Sequence, residues 1–163
     1  MQKAVSQCKA INIVIVDDHQ VVLDGFLARL EMEEEINVIA TASNGVEAIE
    51  AVSREKPDVV LMDVSMPVMN GIEATMLLKE EYPDVKVLML TMHDNREYIM
   101  KVMQAGAVGY MLKEISAEKM VQAIKTVFQG STYFCESVTQ TLFTQPIMPA
   151  NQKPNPLSRR EEA

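Results

Sequence analysis

The chain repeats one pattern five times: a short, continuously apolar run precedes a stretch whose apolar residues recur at helical spacing. The apolar runs are residues 11–16, 36–41, 59–62, 85–90 and 108–112. Because uninterrupted apolar runs are typical of strands that are covered on both faces, the repeat predicts a parallel sheet with right-handed helical crossovers. We therefore expect an α/β fold over residues 11–130: a doubly wound, five-stranded parallel sandwich of the (βα)5 type.

The predicted helices begin at residues with known preferences for helix ends. Asp94 followed by Glu97 predicts a capping box, and Ser116 predicts the N-cap of the last helix. In the third helix we expect four large apolar residues to face inward: Ile72, Met76, Leu77 and Leu78.

The stretch PDVVLMDVSMPVMNG, residues 57–71, has one acid where its strand ends. Asp63 follows four apolar residues and precedes Pro67 and Asn70-Gly71, which favour a turn. Burying an unpaired carboxylate in an apolar sheet is costly, so we expect Asp63 at the sheet rim, facing an opening. Such a carboxylate is placed to accept a phosphoryl group.

Polar side chains also follow three of the other predicted strands. The first strand ends in Asp17 and Asp18, the fourth in Thr91 and the fifth in Lys113. In an open parallel sheet, the carboxyl ends of the strands border one ligand-binding crevice. We therefore expect these side chains to gather around Asp63.

Three carboxylates in one cleft repel each other unless a counter-ion is present, and Mg²⁺ prefers such hard oxygen ligands. We expect Asp18, Asp63 and the backbone carbonyl of Ser65 to bind Mg²⁺ directly, with Asp17 acting mainly through water. Lys113 would stabilise charge on the transferring group, and Asp63 would act as the nucleophile.

These residues resemble the receiver domains of two-component response regulators. The resemblance covers residues 11 to about 130 and includes the Asp-Asp pair, Met-Asp-Val-Ser-Met-Pro-x-Met-Asn-Gly, Thr91 and Lys113. The Asp-Asp-His opening, Ala-Gly-Ala-x-Gly-Tyr-x-Leu-Lys-Glu and the terminal Leu-Ser-Arg-Arg-Glu look most like the NarL/FixJ (LuxR-type) subfamily. The resemblance implies a flavodoxin-like, CheY-like fold and a sensor histidine kinase that phosphorylates Asp63. It also implies a switch that promotes only its own phosphotransfer and autodephosphorylation, and so is not an enzyme acting on a separate substrate.

The resemblance further implies that phosphorylation changes the surface of the domain. Thr91 would turn its hydroxyl toward the phosphoryl group, and Tyr110 would fill the space vacated. The chain departs from the commonest family pattern at Glu114, where many receivers have a proline, so the conformation of that loop stays open.

Composition predicts four segments: a disordered N-terminus at residues 1–10, the receiver at 11–130, a linker with a short helical segment at 131–156, and residues 157–163. Ser158 and Glu161 in the last segment have the spacing of a capping box, which predicts the start of a helix. The resemblance implies that this helix begins a LuxR-type helix-turn-helix domain. The resemblance then implies a transcription factor that binds DNA through that domain and forms a homodimer on phosphorylation. A stand-alone receiver acting through protein contacts is the alternative.

Charge and composition limit the remaining function classes. A net charge of -8 argues against direct DNA binding by this segment. The two cysteines, Cys8 and Cys135, have no metal-ligand spacing, and no apolar run is long enough to span a membrane, so we expect a cytoplasmic protein with no membrane contact.

Two other α/β functions match parts of this pattern less well than the receiver does. A haloacid-dehalogenase-type phosphohydrolase also uses a strand-end aspartate and Mg²⁺, but it needs a second acid where this chain has Ser65. A flavodoxin-like cofactor binder needs a glycine- or hydroxyl-rich phosphate loop, whereas residues 16–20 are acidic and contain no glycine. His19 and His93 are interpreted as exposed loop residues.

Overall fold

The computed structural model describes residues 10–92 and 96–134, and its elements follow the predicted order. They are β1 (Ile11–Val16), α1 (Gln20–Leu30), β2 (Ile36–Ala42), α2 (Gly45–Glu55), β3 (Val59–Asp63), α3 (Gly71–Glu81), β4 (Lys86–Thr91), α4 (Arg96–Gln104), β5 (Gly109–Leu112), α5 (Ala117–Phe128) and β6 (Tyr133–Phe134). Within these described ranges, no helix has the length and apolar character that crossing a bilayer requires.

Several predictions lie outside the described residues: the N-terminal segment through residue 9, the cap at Asp94, the short helical segment and the start of a helix-turn-helix. The predicted cap at Ser116 lies inside them and is confirmed, because its side chain accepts a hydrogen bond from the Lys119 N–H.

The six strands form one parallel sheet in the order β2-β1-β3-β4-β5-β6. The chain moves outward from β1 to β2 and then returns to β3, so the order reverses between β1 and β3, as in doubly wound sheets. The predicted fold class is confirmed. The structure adds β6, an edge strand of two residues inside the predicted linker, which is too short to leave a periodic signal in the sequence.

Alternate residues of each strand pack against helices on opposite faces of the sheet. On one face, Ile13, Leu61 and Leu88 contact the apolar residues of α1 and α5. On the other face, Val14 and Met62 pack with the buried residues of α2, α3 and α4. The four central strands are therefore buried on both sides, and their backbones are held rigidly up to their carboxyl ends.

The prediction for the inward face of α3 was wrong at Met76, whose side chain is 56% exposed. Leu78 is fully buried, as predicted, but the other buried residues of this helix are the small Gly71, Ala74 and Thr75. The inward face therefore combines one large side chain with small ones, whereas the predicted face was drawn through the largest apolar residues.

Candidate functional site

The ends of β1, β3, β4 and β5 place four polar side chains at one edge of the sheet. Asp17 follows β1, Asp63 ends β3, Thr91 ends β4, and Lys113 follows β5. Backbone pairing continues past the strands, since the Lys113 N–H donates to the Thr91 carbonyl at 2.8 Å. The positions of these side chains are therefore fixed by the register of the sheet.

The Lys113 ammonium lies between two buried carboxylates. Its Nζ is 2.7 Å from Asp17 Oδ2 and 3.2 Å from Asp63 Oδ2, and the three side chains are at most 8% exposed. The Lys113 ammonium is the contact that neutralises Asp17 Oδ2, which has no other partner among the described residues. Within the part of the chain that the structure describes, one cation thus serves two acids, and the cluster keeps an excess of negative charge.

Burial sets the ionisation of this cluster. Burial and the negative charge of Asp17 raise the pKa of Asp63 to about 6, although Lys113 and the backbone N–H of Ser65 act in the opposite direction. For Lys113, burial is the largest single influence and lowers the pKa, but the contacts with Asp17 and Asp63 together raise it above its usual value. Above about pH 6, the Asp63 carboxylate is therefore ionised beside a protonated lysine.

Asp18 and His19 form the solvent side of the cluster. The Nδ1 atom of His19 is 3.2 Å from Asp17 Oδ1 and 3.2 Å from Asp18 Oδ1, and its backbone N–H donates to Asp17 Oδ1 at 2.9 Å. One oxygen each from Asp17, Asp18 and Asp63, together with a ring nitrogen of His19, all lie within 4.8 Å of one another. These four side chains could hold a metal ion.

His19 is the residue whose place in the cluster was missed by sequence reasoning. It is 65% exposed, in agreement with its interpretation as an exposed residue, yet its ring contacts both acids. The signal available in the sequence was its position directly after the acid pair.

Gly71 allows α3 to begin against the end of β3. A Cβ atom at this position would lie 2.0 Å from the carbonyl oxygen of Asp63. Beside it, Asn70 and Glu73 form a capping box that fixes the first turn of α3. The turn that follows Asp63 therefore requires a glycine at position 71, where the chain comes closest to the Asp63 carbonyl group.

The loop between β3 and α3 contains a strained residue. Val68 has a φ of 69°, and the flanking Pro67 carbonyl accepts a hydrogen bond from the Met69 N–H at 2.7 Å, which is a γ-turn pattern. Positive φ is rare for a β-branched residue. The Met69 carbonyl accepts from the Gly45 N–H at 2.9 Å, so α2 helps to hold this loop.

The two proposed switch residues are both buried. Thr91 is 4% exposed at the end of β4, and Tyr110 is fully buried in β5. Tyr110 packs in the core layer that includes Met89 of the neighbouring strand and Ile99 and Val102 of α4. The loop after Lys113, left open by the sequence, has a trans peptide bond to Glu114.

Comparison with known proteins identifies the family. Residues 13–125 match the model of the response regulator receiver domain. The chain is 45% identical to the transcriptional regulatory protein DegU of Brevibacillus brevis over 145 residues, and 43% identical to the oxygen regulatory protein NreC of Staphylococcus aureus over 143 residues. These alignments cover 89% and 87% of this chain, but only 61% of DegU and 66% of NreC.

A solved structure agrees with this assignment. A LuxR-family two-component response regulator from Aurantimonas sp. SI85-9A1 superposes with a TM-score of 0.78 and 30% sequence identity, covering 82% of this chain and 96% of that chain. Sequence, sheet order and the acid–lysine cluster at the strand ends therefore lead to one conclusion: the chain belongs to the response regulator receiver domain family, in its LuxR/NarL group.

Proposed function

We propose that this domain accepts a phosphoryl group on Asp63 and thereby switches the surface on which its output depends. The observation that carries the proposal is the ion-paired cluster, in which Lys113 Nζ is 2.7 Å from Asp17 Oδ2 and 3.2 Å from Asp63 Oδ2. A buried, ionised carboxylate beside a fixed ammonium group is suited to attack a phosphorus atom and then to hold the charge of the product.

The donor atoms of the cluster fit Mg²⁺. The carboxylates of Asp17, Asp18 and Asp63 offer oxygens within 4.8 Å of one another, and one lysine leaves their charge only partly neutralised. Asp18, Asp63 and the backbone carbonyl of Ser65 would bind the ion directly, and Asp17 would contact it through water. When bound, the ion supplies positive charge that lowers the repulsion between the carboxylate and an incoming phosphoryl group.

The donor is inferred to be a phosphohistidine on a sensor histidine kinase. An Asp63 oxygen forms a bond to phosphorus while the phosphorus–nitrogen bond of the donor breaks, and the electron pair stays on the imidazole nitrogen. Lys113 donates hydrogen bonds to the phosphoryl oxygens as the transfer proceeds. The product is a 4-aspartylphosphate.

The same groups promote the return of the switch. Water attacks phosphorus, the bond to the Asp63 oxygen breaks, and inorganic phosphate leaves with the carboxylate restored. The domain in this view promotes its own phosphorylation and dephosphorylation and has no separate substrate.

The switch is proposed to act through Thr91 and Tyr110. The Thr91 hydroxyl would reorient toward the phosphoryl group, and the Tyr110 ring would shift within the core beside α4. Phosphorylation needs only to stabilise one of two pre-existing packings of the core. Charge-assisted hydrogen bonds to the phosphoryl group supply that stabilisation.

The output is inferred to be transcriptional. The name of DegU describes a transcriptional regulator, and this chain spans 61% of its length. We propose that a cytoplasmic protein containing this domain binds DNA through a helix-turn-helix domain, following a linker that begins after β6, and dimerises when phosphorylated. The stand-alone receiver is the alternative, and the full reading frame distinguishes the two.

Phosphorylation of the purified domain by acetyl phosphate or a labelled histidine kinase tests the proposal. Asp63→Asn is expected to abolish labelling, whereas Asp84→Asn, at an exposed acid near the opposite edge of the sheet, keeps it. Thr91→Ala is expected to be labelled, yet to lose the NMR shifts that beryllofluoride induces around Tyr110. Labelling of Asp63→Asn at the wild-type rate would overturn the assignment.

A further inference from the structure

His19 occupies the N-cap position of α1 but does not act as a cap. Its backbone is extended, with φ −103° and ψ 110°, and its side chain makes no capping hydrogen bond. Residues at this position usually cap with an oxygen-bearing side chain. The imidazole instead turns back toward the two acids that precede it.

The backbone of His19 fixes this orientation. Its N–H donates to Asp17 Oδ1 at 2.9 Å, and its Nδ1 is 3.2 Å from that same atom and 3.2 Å from Asp18 Oδ1. The ring is 65% exposed, whereas the Asp18 side chain is 26% exposed. The nitrogen therefore faces the Asp17 and Asp18 carboxylates from the solvent side of the cluster.

These spacings match those of neighbouring ligands on one cation. Two ligands at about 2.1 Å from an ion are about 3.0 Å apart in an octahedral site and about 3.4 Å apart in a tetrahedral one. The distance of 3.2 Å between His19 Nδ1 and Asp18 Oδ1, the oxygen of a proposed direct ligand, lies between these values. The donor atoms of His19, Asp18 and Asp63 lie within 4.8 Å of one another, so small rotations of these side chains suffice to bring them to one ion.

We propose that His19 is an additional metal ligand, through Nδ1, and that it makes this site selective for first-row transition cations over Mg²⁺. The inference rests on the metal site of the proposed function and adds a ligand to it. A set of carboxylate oxygens alone suits Mg²⁺ and Mn²⁺, whereas an imidazole nitrogen favours ions such as Co²⁺, Ni²⁺ and Zn²⁺. Mg²⁺ gains little from the ring, because it prefers oxygen and retains several waters.

The test measures the ratio of Co²⁺ affinity to Mg²⁺ affinity by calorimetry, with each metal chloride added alone to the purified chain. His19→Gln is expected to lower this ratio by about 10-fold or more, a loss typical when support for a metal site is removed. His93→Gln, at the only other histidine, is the matched control and should leave the ratio unchanged. The NMR spectrum of the Co²⁺ form should contain strongly shifted imidazole ring resonances that disappear in His19→Gln and persist in His93→Gln.

The outcomes separate this inference from the proposed function. An unchanged ratio in His19→Gln, or shifted ring resonances that depend on His93, would overturn the role of His19 and leave the Mg²⁺ site standing. A wild-type chain that binds neither ion and takes no phosphoryl group would overturn both. Because His19 is exposed and makes no capping hydrogen bond, loss of the fold in the variant is not expected, and circular dichroism checks this point.

Discussion

Asp63 lies in a buried position that disfavours the charge of its carboxylate but suits its proposed role. It ends a strand whose other residues are fully buried, and it shares one ammonium group with Asp17. The resulting pKa of about 6 is far enough below neutral pH for the group to be ionised, although its charge is poorly solvated. This arrangement lowers the stability of the domain, because the charged form of Asp63 is disfavoured in the folded state.

We therefore expect Asp63→Asn to stabilise the metal-free domain at pH values above about 6. The pKa of Asp63 in the folded state is raised from 3.8 to about 6. The protonated acid therefore stabilises the fold fully below about pH 4, and this stabilisation is lost as the pH rises through about 6. The neutral amide of the variant avoids that loss. We expect its free energy of unfolding to be higher than that of the wild type by on the order of 1–2 kcal/mol after allowing for screening. Urea denaturation in EDTA across this pH range measures it.

The control for this effect is Asp24→Asn, which changes an exposed acid on α1. It should show no comparable pH-dependent gain. A less stable Asp63→Asn at neutral pH would mean that the pairing with Lys113 outweighs the burial of the carboxylate.

Lys113→Met should have the opposite effect. It leaves Asp17 and Asp63 buried together without their shared cation, and removing one partner of a buried ion pair is strongly destabilising. We expect the free energy of unfolding to fall by about 3–5 kcal/mol in metal-free buffer. The double variant with Asp63→Asn should recover part of this loss, and equal losses in the single and double variants would contradict the assigned coupling.

The loop from β3 to α3 brings this strand and this helix into contact at Gly71. Because a Cβ atom there would lie 2.0 Å from the Asp63 carbonyl oxygen, Gly71→Ala must displace backbone. We expect this variant to lose about 2–4 kcal/mol of the free energy of unfolding. This range covers the usual cost of overpacking a core and extends to the larger losses of severe substitutions. Thermal unfolding measures the loss.

Gly25→Ala is the matched control for this substitution. Gly25 lies inside α1, and a Cβ atom there would meet nothing within 4 Å. Alanine is the better helix former by about 1 kcal/mol, so this variant should be slightly more stable than the wild type. A loss of stability at both glycines would argue against the close contact at Gly71 as the cause.

The sequence predicted some helices and strands correctly and others incompletely. The five longer strands and their helices were correctly predicted, because continuous apolar runs and helical periodicity are strong local signals. The inward face of α3 was misjudged at Met76, since its packing uses the small residues Ala74 and Thr75. The strand Tyr133–Phe134 exists only because β5 offers a free edge next to it, which no local pattern records.

The proposed metal site joins parts of the chain that are far apart in sequence, so metal binding should stabilise the entire domain. Mg²⁺ at 100 times its dissociation constant is expected to add about 2.7 kcal/mol to the free energy of unfolding. Asp18→Asn, which removes a proposed ligand, should lose most of this gain, while Asp84→Asn should keep it. Melting temperatures with and without Mg²⁺ check this, and an equal shift in all three proteins would point to a nonspecific salt effect.

The alternation of apolar runs and amphipathic helices was sufficient to determine the doubly wound sheet, and with it the edge at which Asp17, Asp63, Thr91 and Lys113 meet. That inference needs only the periodicity of side chains and the handedness of crossovers. The tertiary structure alone decided which atoms are in contact there: that Lys113 spans two carboxylates, that Gly71 lies against Asp63, and that His19 turns toward the acids. Distances of a few ångströms depend on the packing of side chains from separate elements, and local sequence patterns carry no record of that packing.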